Sequence, residues 1–217
     1  MTLFEVIVLD ALDAFNAQAG GADRVELVRE IALGGLTPSV EVFRSVRAAT
    51  DLPIRVMLRS QDGYLADERV YEDALALREA GAEEFVFGFL ASGAVDVPAI
   101  EGVLDAIGPC GWTFHRAIDH AADRDAAWAA LANLSNVDTV LTSGGPGGHA
   151  RLIAESGRAP RVMAGGGLRE EHLPALKAGG ITAFHAGTAV RPSWRDPVDV
   201  ALVARWRDRL NAFGAAA

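Results

Sequence analysis

The sequence is poor in lysine and in cysteine, and both shortages restrict the chemistry that it can support. Of its 20 basic residues 19 are arginine, and Lys177 is the one lysine. Covalent catalysis through a Schiff base needs a lysine that points into the active site, whereas Lys177 lies in HLPALKAGG, which is typical of a helix end. The one cysteine, Cys110, excludes an internal disulfide framework and a metal site built from cysteines alone.

Positive charge and long apolar stretches are also scarce. The net charge of -9 argues against a nucleic acid or an acidic membrane as partner, because both need a basic surface. No stretch reaches the length of a membrane span. The first apolar run is interrupted by Glu5 and Asp10 and follows no basic segment, so it does not resemble a signal peptide. We therefore predict a cytoplasmic protein.

Short runs of β-branched and aromatic residues alternate along the chain with longer alanine-rich amphipathic runs. This alternation indicates parallel strands joined by helices, and eight such units fit the closed barrel. We predict an α/β fold, a (β/α)₈ TIM barrel formed by a single domain over residues 1–217. The predicted strands are residues 4–9, 24–28, 54–59, 83–89, 112–116, 138–143, 161–165 and 182–187. An open doubly wound sheet is less consistent, because no glycine fingerprint follows the first strand.

Polar residues recur at alternate positions of several predicted strands. Side chains alternate across a strand, so one set points into the barrel. Assigning the polar set to the interior places there Glu5, Arg24, Glu26, Arg55, Met57, Arg59, His115 and His185. Two interpretations stay open: Glu5, Arg24, Glu26 and Arg55 form a buried ion ladder, or they line a wet pocket. Arg59, His115 and His185 favour function, because they lie near carboxyl ends of strands.

The segment TFHRAID (113–119) holds the densest cluster of reactive side chains. His115 can act as a general acid or base near neutral pH. Arg116 can bind an anion, and Asp119 can orient the histidine or bind a hydroxyl. Alternatively, Arg116 and Asp119 form a salt bridge at the end of the strand.

Glycine-rich turns follow the late predicted strands. In barrels of this class, late loops often bind phosphate through backbone N–H groups. The candidate anion-binding residues in these turns are Ser143, Gly144, Gly145, Gly166 and Gly167. Glycine also serves simply to form tight turns, and that interpretation stays open.

Several motifs resemble those of the CutC family, which is named for copper homeostasis and consists of cytoplasmic (β/α)₈ barrels. They are AGGADRVEL (19–27), GGLTPS (34–39), VMLR (56–59), TFHRAID (113–119), VLTSGG (140–145), VMAGGG (162–167) and FHAG (184–187). The resemblance covers nearly the whole chain, and it implies copper-ion binding and a homodimer or larger homo-oligomer. Copper roles proposed for the family invoke cysteines on the first two strands, where this chain has Ile7 and Val28. Met57, His115 and His185 remain as candidate copper ligands, although Cu(I) prefers soft thiolate or thioether donors.

Three functions are consistent with these features. By resemblance, the protein has a role in copper homeostasis, with a copper ion as ligand. Alternatively, it is an enzyme that performs isomerase- or lyase-type acid/base chemistry without lysine on a small anionic metabolite, phosphate esters included. In that case the catalytic candidates are His115, Glu26, Glu5, Asp119 and His185, and Arg59 and Arg116 bind the anion. The third alternative is a scaffold without catalytic activity.

Overall fold

The computed structural model describes residues 2–212 as a closed barrel of eight parallel strands surrounded by helices. The barrel strands are β1 (Leu3–Val8), β2 (Arg24–Leu27), β3 (Ile54–Met57), β4 (Glu84–Phe87), β7 (Trp112–Phe114), β8 (Val137–Thr142), β9 (Arg161–Ala164) and β10 (Ala183–Ala186). Each strand pairs with its neighbour in chain order, and β10 closes the ring against β1. The predicted TIM barrel is confirmed. Met1 and residues 213–217 of the predicted domain lie outside the described residues.

Helices follow the barrel strands on the outside. They are α1 (Ala11–Ala19), α2 (Val40–Ala49), α3 (Glu68–Glu79), α4 (Val97–Ile107), α5 (Arg124–Leu131), α6 (Gly148–Glu155), α7 (Leu173–Ala178) and α8 (Val200–Ala212). Several begin at an aspartate or serine whose side chain accepts a hydrogen bond from a backbone N–H three residues on, as Asp10 does for α1 and Asp67 for α3. Such N-caps satisfy donors that the first helical turn leaves free. No helix within residues 2–212 combines the length and apolarity needed to cross a bilayer.

The ends of the predicted strands needed correction. β3 ends at Met57 rather than at residue 59, and β7 ends at Phe114 rather than at residue 116. Beyond β7 the chain turns at once into a short 3₁₀ helix (Arg116–His120), and His115 caps it by accepting the Ala117 N–H at 3.3 Å. A short hairpin of β5 (Leu90–Ala91) and β6 (Ala94–Val95), which the pattern did not predict, lies outside the barrel.

The main apolar core fills the layer between strands and helices, where Trp112, Trp128 and Trp206 are buried. The barrel interior is different, since among residues 2–212 it holds two small apolar clusters. One contains Val28, Met57 and Val86, and the other contains Leu141, Met163 and Ala183. Buried polar side chains occupy much of the remaining interior.

Arg55 joins four strands near the amino-terminal end of the barrel. Its guanidinium donates to Glu84 at 2.8 Å on β4, to Thr113 at 3.0 Å on β7 and to Asp138 at 2.5 Å on β8. Glu26 is the register neighbour of Arg55, but the two form no ion pair. The continuous ion ladder considered from the sequence is therefore divided into separate groups.

Candidate functional site

A cavity of about 460 Å³ lies among the residues at and beyond the carboxyl ends of the barrel strands. This is the end at which barrels of this class carry their active sites. The predicted site residues that line it are Glu26, Met57, Arg59, His115, Arg116, Gly166, Gly167 and His185. The other predicted residues, Glu5, Asp119, Ser143, Gly144 and Gly145, do not line the cavity.

Four charged or polar side chains form a buried chain that ends in the cavity. Strand register sets β1 Glu5 opposite both Arg24 on β2 and His185 on β10. Arg24 Nε donates to Glu5 Oε2 at 2.5 Å, and Glu5 Oε1 lies 2.8 Å from His185 Nδ1. His185 Nε2 lies 3.4 Å from Glu26 Oε2. Glu26 is the member that carries a carboxyl oxygen, Oε1, without a hydrogen-bond partner within residues 2–212.

Glu5 and Glu26, the two carboxyl groups among these four side chains, differ in protonation. Burial alone would raise the pKa of Glu5, but the Arg24 guanidinium and the His185 hydrogen bond lower it to about 2. Burial raises the pKa of Glu26 to about 7, although His185 opposes the shift. Burial also disfavours a charged His185, yet Glu26 and Glu5 raise the pKa of its imidazole. Glu26 can therefore both accept and release a proton near neutral pH.

His115 is suited to donate a hydrogen bond rather than to accept a proton. Burial, together with the nearby Arg59 cation, lowers the pKa of its imidazole to about 3, so the ring is neutral at physiological pH. Its Nδ1 accepts the Ala117 N–H, which leaves the proton on Nε2. That Nε2 is buried and has no partner in the described part of the chain.

The two predicted arginine anchors differ in how far their donors are already used. Arg59 donates from Nε to Gly63 O and from Nη1 to Leu33 O, both at 2.8 Å, and stacks over Tyr64 at 5.1 Å. It therefore joins two loops at the cavity mouth. The Arg116 side chain is 49% exposed and makes one long contact with Asp119, at 3.4 Å. Arg116 is the arginine that is free to meet an anion.

Asp119 fixes the loops that follow β7 and β8. Its side chain accepts hydrogen bonds from the Ser143 N–H at 2.9 Å, from Ser143 Oγ at 2.8 Å and from Arg124 at 3.1 Å. A further bond comes from Thr142 Oγ1 at 2.5 Å. Burial opposes its ionisation, but these bonds hold the pKa of Asp119 below its usual value. The contacts give Asp119 a positioning role.

The two predicted glycine turns point their N–H groups in different directions. The N–H groups of Ser143, Gly144 and Gly145 already donate to side chains, namely to Asp119, Thr142 Oγ1 and Ser143 Oγ respectively. The N–H groups of Gly166 and Gly167 donate no hydrogen bond within residues 2–212. Gly166 has a φ of +77°, and a Cβ there would lie 3.0 Å from Ser143 Cβ and 3.2 Å from Arg116 Cζ. Glycine thus lets the backbone come close to Arg116.

Some residues of the cavity wall were not predicted. Tyr64 lies edge-on to His115 with ring centroids 5.5 Å apart, and Trp194 packs so closely on Gly187 that a Cβ there would lie 2.5 Å from Trp194 Cη2. Gly187 and Thr188 could have been predicted as part of the cavity wall, because the turn that they form after the last strand resembles the other late glycine turns. Tyr64 and Trp194 lie in loops with no periodic pattern.

The candidate copper ligands do not form a metal cluster. Within residues 2–212, no group of three or more histidine, cysteine, aspartate or glutamate side chains is placed to hold a metal ion. Both ring nitrogens of His185 face carboxylates, so Met57 and His115 are the candidate ligands that keep a free donor atom. His120, which the sequence did not suggest as a copper ligand, also lines the cavity. Ile7 and Val28 add apolar surface to its wall.

Comparisons with known proteins agree on one family. The CutC family model matches residues 2–190. A CutC family protein from Klebsiella pneumoniae (strain 342) is 38% identical over 198 residues, which are 86% of this chain and 80% of that protein. A Salmonella schwarzengrund relative with the same description is 37% identical over 205 residues, covering 88% and 81%. The crystal structure of a CutC protein from Streptococcus agalactiae, named for copper homeostasis, has a TM-score of 0.77 and 25% identity, covering 87% and 99%.

Proposed function

The chain belongs to the CutC family, and from the cavity that it carries we propose that it is an enzyme acting on a small anionic metabolite. The proposed reaction is an acid/base conversion of the isomerase or lyase type that uses no lysine. The observation that carries the proposal is the Glu26 carboxyl group, which lines the cavity, is almost fully buried and leaves Oε1 unpaired.

Such a carboxyl group lowers the stability of the folded protein. Burying a polar group without a hydrogen bond costs on the order of 1–3 kcal/mol. The same burial gives Glu26 a pKa near 7, which is the value that best suits a general acid or base. A scaffold barrel would gain nothing from this arrangement.

We assign proton transfer to Glu26 and hydrogen-bond donation to His115, whereas the sequence suggested His115 as the acid or base. The Glu26 carboxylate takes a proton from a substrate carbon beside a carbonyl group. The electron pair of the C–H bond moves toward the carbonyl oxygen, where the neutral His115 Nε2–H stabilises the enolate. Where that same carbon carries a hydroxyl group, the hydroxyl proton passes to the former carbonyl oxygen and Glu26 returns its proton to the former carbonyl carbon, so that the carbonyl and hydroxyl groups exchange places. A carboxylate base with a neutral histidine donor is a known arrangement for this chemistry.

The remaining members of the buried chain support Glu26. Glu5 is ionised and bonded to Arg24, so it holds His185 with its second nitrogen toward Glu26. The anionic part of the substrate would meet Arg116 and the free N–H groups of Gly166 and Gly167, which together suit a phosphate or carboxylate.

Copper handling, for which the family is named, is less consistent with the donors in this chain. A tight Cu(I) site uses several soft ligands. The cavity offers one thioether, from Met57, and two imidazoles that are not held by carboxylates, from His115 and His120, while Cys110 precedes β7 at the opposite end of the barrel. These donors favour the acid/base proposal over a high-affinity copper site.

Hydrogen exchange on carbon tests the proposal, because it reports the first proton transfer whichever product follows. The protein is incubated in D₂O with a panel of phosphorylated and carboxylated carbonyl compounds, and deuterium uptake is followed by mass spectrometry. We expect exchange at the carbon beside the carbonyl group of one panel member, and at least a 100-fold slower rate in Glu26→Gln, as for loss of a general base.

The matched control is Glu84→Gln, which removes a carboxyl group from the other end of the barrel and should leave the exchange rate unchanged. Exchange that continues at the wild-type rate in Glu26→Gln, or a wild-type protein inert toward the whole panel, would count against the proposal.

A further inference from the structure

The two walls of the cavity differ in polarity. On the wall formed by β7 to β10 lie Arg116, Gly166 and Gly167, which offer N–H groups and a positive charge. The opposite side, formed by β1 to β3 and the loop after β2, carries the polar Glu26 and Arg59 but also an apolar wall, which we define as Ile7, Ile31 and Leu33.

The exposed apolar surface is concentrated on this second wall. Leu33 is 42% exposed, and Ile7 and Ile31 are each partly exposed. By contrast, Leu141 and Leu168, which belong to the β7–β10 half, are 3% and 5% exposed and offer little surface to a ligand.

Trp194 extends the apolar wall toward the last strand. A Cβ on Gly187 would meet both Trp194 Cη2, at 2.5 Å, and Ile7 Cδ1, at 3.0 Å. The Trp194 indole and the Ile7 side chain therefore both pack against Gly187. Arg191 lies over the indole, with Cζ 4.9 Å from the ring centroid.

Glu26 lies beside this apolar wall. Ile7 is its register neighbour on β1, and Met57 lies two residues beyond its partner on β3. A ligand that reaches Glu26 therefore lies next to apolar side chains. The cavity, at about 460 Å³, has far more room than a phosphate or carboxylate group needs, and pockets of this volume hold small organic ligands.

We propose that the ligand is amphiphilic, with an anionic group at Arg116, Gly166 and Gly167 and an aromatic or branched alkyl body against Ile7, Ile31, Leu33 and Trp194. This inference rests on the anion-binding part of the proposed function. Its physical basis is that covering exposed apolar side chains with an apolar group is favourable, whereas a polar body would lose hydration there without gaining hydrogen bonds.

Calorimetric titration with inorganic phosphate, glycerol phosphate and phenyl phosphate tests the inference. The last two are both monoesters, so they differ in the body and not in the anionic group. We expect phenyl phosphate to bind at least about tenfold more tightly than glycerol phosphate, because one buried aromatic group contributes this much or more.

A double variant, Ile31→Ser with Leu33→Ser, locates the effect. It should weaken phenyl phosphate binding by about tenfold and leave phosphate binding unchanged. Leu65→Ser is the matched control, because Leu65 is 61% exposed but does not line the cavity. This control should bind all three compounds as the wild type does.

The outcomes separate the two proposals. Equal affinity for the two monoesters would overturn the amphiphilic ligand and leave the anion site and the acid/base proposal standing. Phenyl phosphate binding that the double variant does not weaken would also overturn it, since the apolar body would then lie elsewhere. Absence of binding by all three compounds would overturn the phosphate site at Arg116, Gly166 and Gly167 and the amphiphilic ligand with it, whereas the acid/base proposal is decided separately by the hydrogen-exchange experiment.

Discussion

Burial shifts the pKa values of Glu26 and His115, two of the ionisable groups that line the cavity, in opposite directions. It favours the neutral form of each, so the pKa of the Glu26 carboxyl group rises to about 7 and that of the His115 imidazole falls to about 3. A protonated Glu26 and a neutral His115 are thus the stable forms in slightly acidic solution. Near pH 7 Glu26 loses its proton while His115 keeps its role as donor.

The Glu26→Gln substitution should make stability less dependent on pH. Between about 4.5, the ordinary pKa of a glutamate, and about 7, the folded protein binds more protons than the unfolded chain. The Glu26 carboxyl group therefore makes stability fall as pH rises through this window. Glutamine does not titrate, so the variant should gain about 1–2 kcal/mol relative to the wild type between about pH 5 and pH 8.

Urea unfolding at several pH values measures this difference. Glu101→Gln, at an exposed position on α4, supplies the baseline. A difference between Glu26→Gln and wild type that stays constant with pH would show that the Glu26 carboxyl group does not titrate in this window.

Asp119 joins the loops that follow β7 and β8 by accepting hydrogen bonds from Ser143. Asp119→Asn keeps the shape of the side chain but weakens the bonds from Ser143 and Arg124. We expect a loss of about 2 kcal/mol in the free energy of unfolding, as for a buried charged acceptor.

Asp123→Asn is the control for this variant. Asp123 caps α5 by accepting the Ala126 N–H at 2.9 Å, and asparagine is an equally good N-cap. Equal free energies of unfolding for the two variants, measured by denaturation, would contradict the positioning role of Asp119.

The elements could be predicted from the sequence more fully than the loops. Alternation of short β-branched runs with amphipathic runs is a local signal, and so is the inward set of polar residues that includes Glu5, Glu26 and His185. The direction of a loop N–H group, by contrast, depends on contacts with residues that are distant in the sequence. Ser143 points its N–H away from the cavity because of Asp119, which lies 24 residues earlier, and no pattern near the glycines carries that information.

Across the whole molecule, Arg55 and the cavity lie toward opposite ends of the barrel. Arg55→Leu removes the contacts to Glu84, Thr113 and Asp138. We expect a loss of about 2 kcal/mol in the free energy of unfolding, less than for a fully buried ion pair, because both carboxylates remain partly hydrated.

Phosphate binding in the cavity should be unchanged in Arg55→Leu, as measured by calorimetry. Arg69→Leu breaks an exposed pair with Asp73 and should cost well under about 1 kcal/mol. A loss of anion affinity in a folded Arg55→Leu protein would show that the two ends are coupled.

The bond between Glu5 and His185 joins residues 180 positions apart, and this has a consequence for biosynthesis. Contacts so distant in the chain form late in folding, because a long loop must close first. A nascent chain holds Glu5 and Glu26 from the start, but it lacks the imidazole between them until the last strand has left the ribosome. The proton-transfer group is therefore completed only when the ring of strands closes.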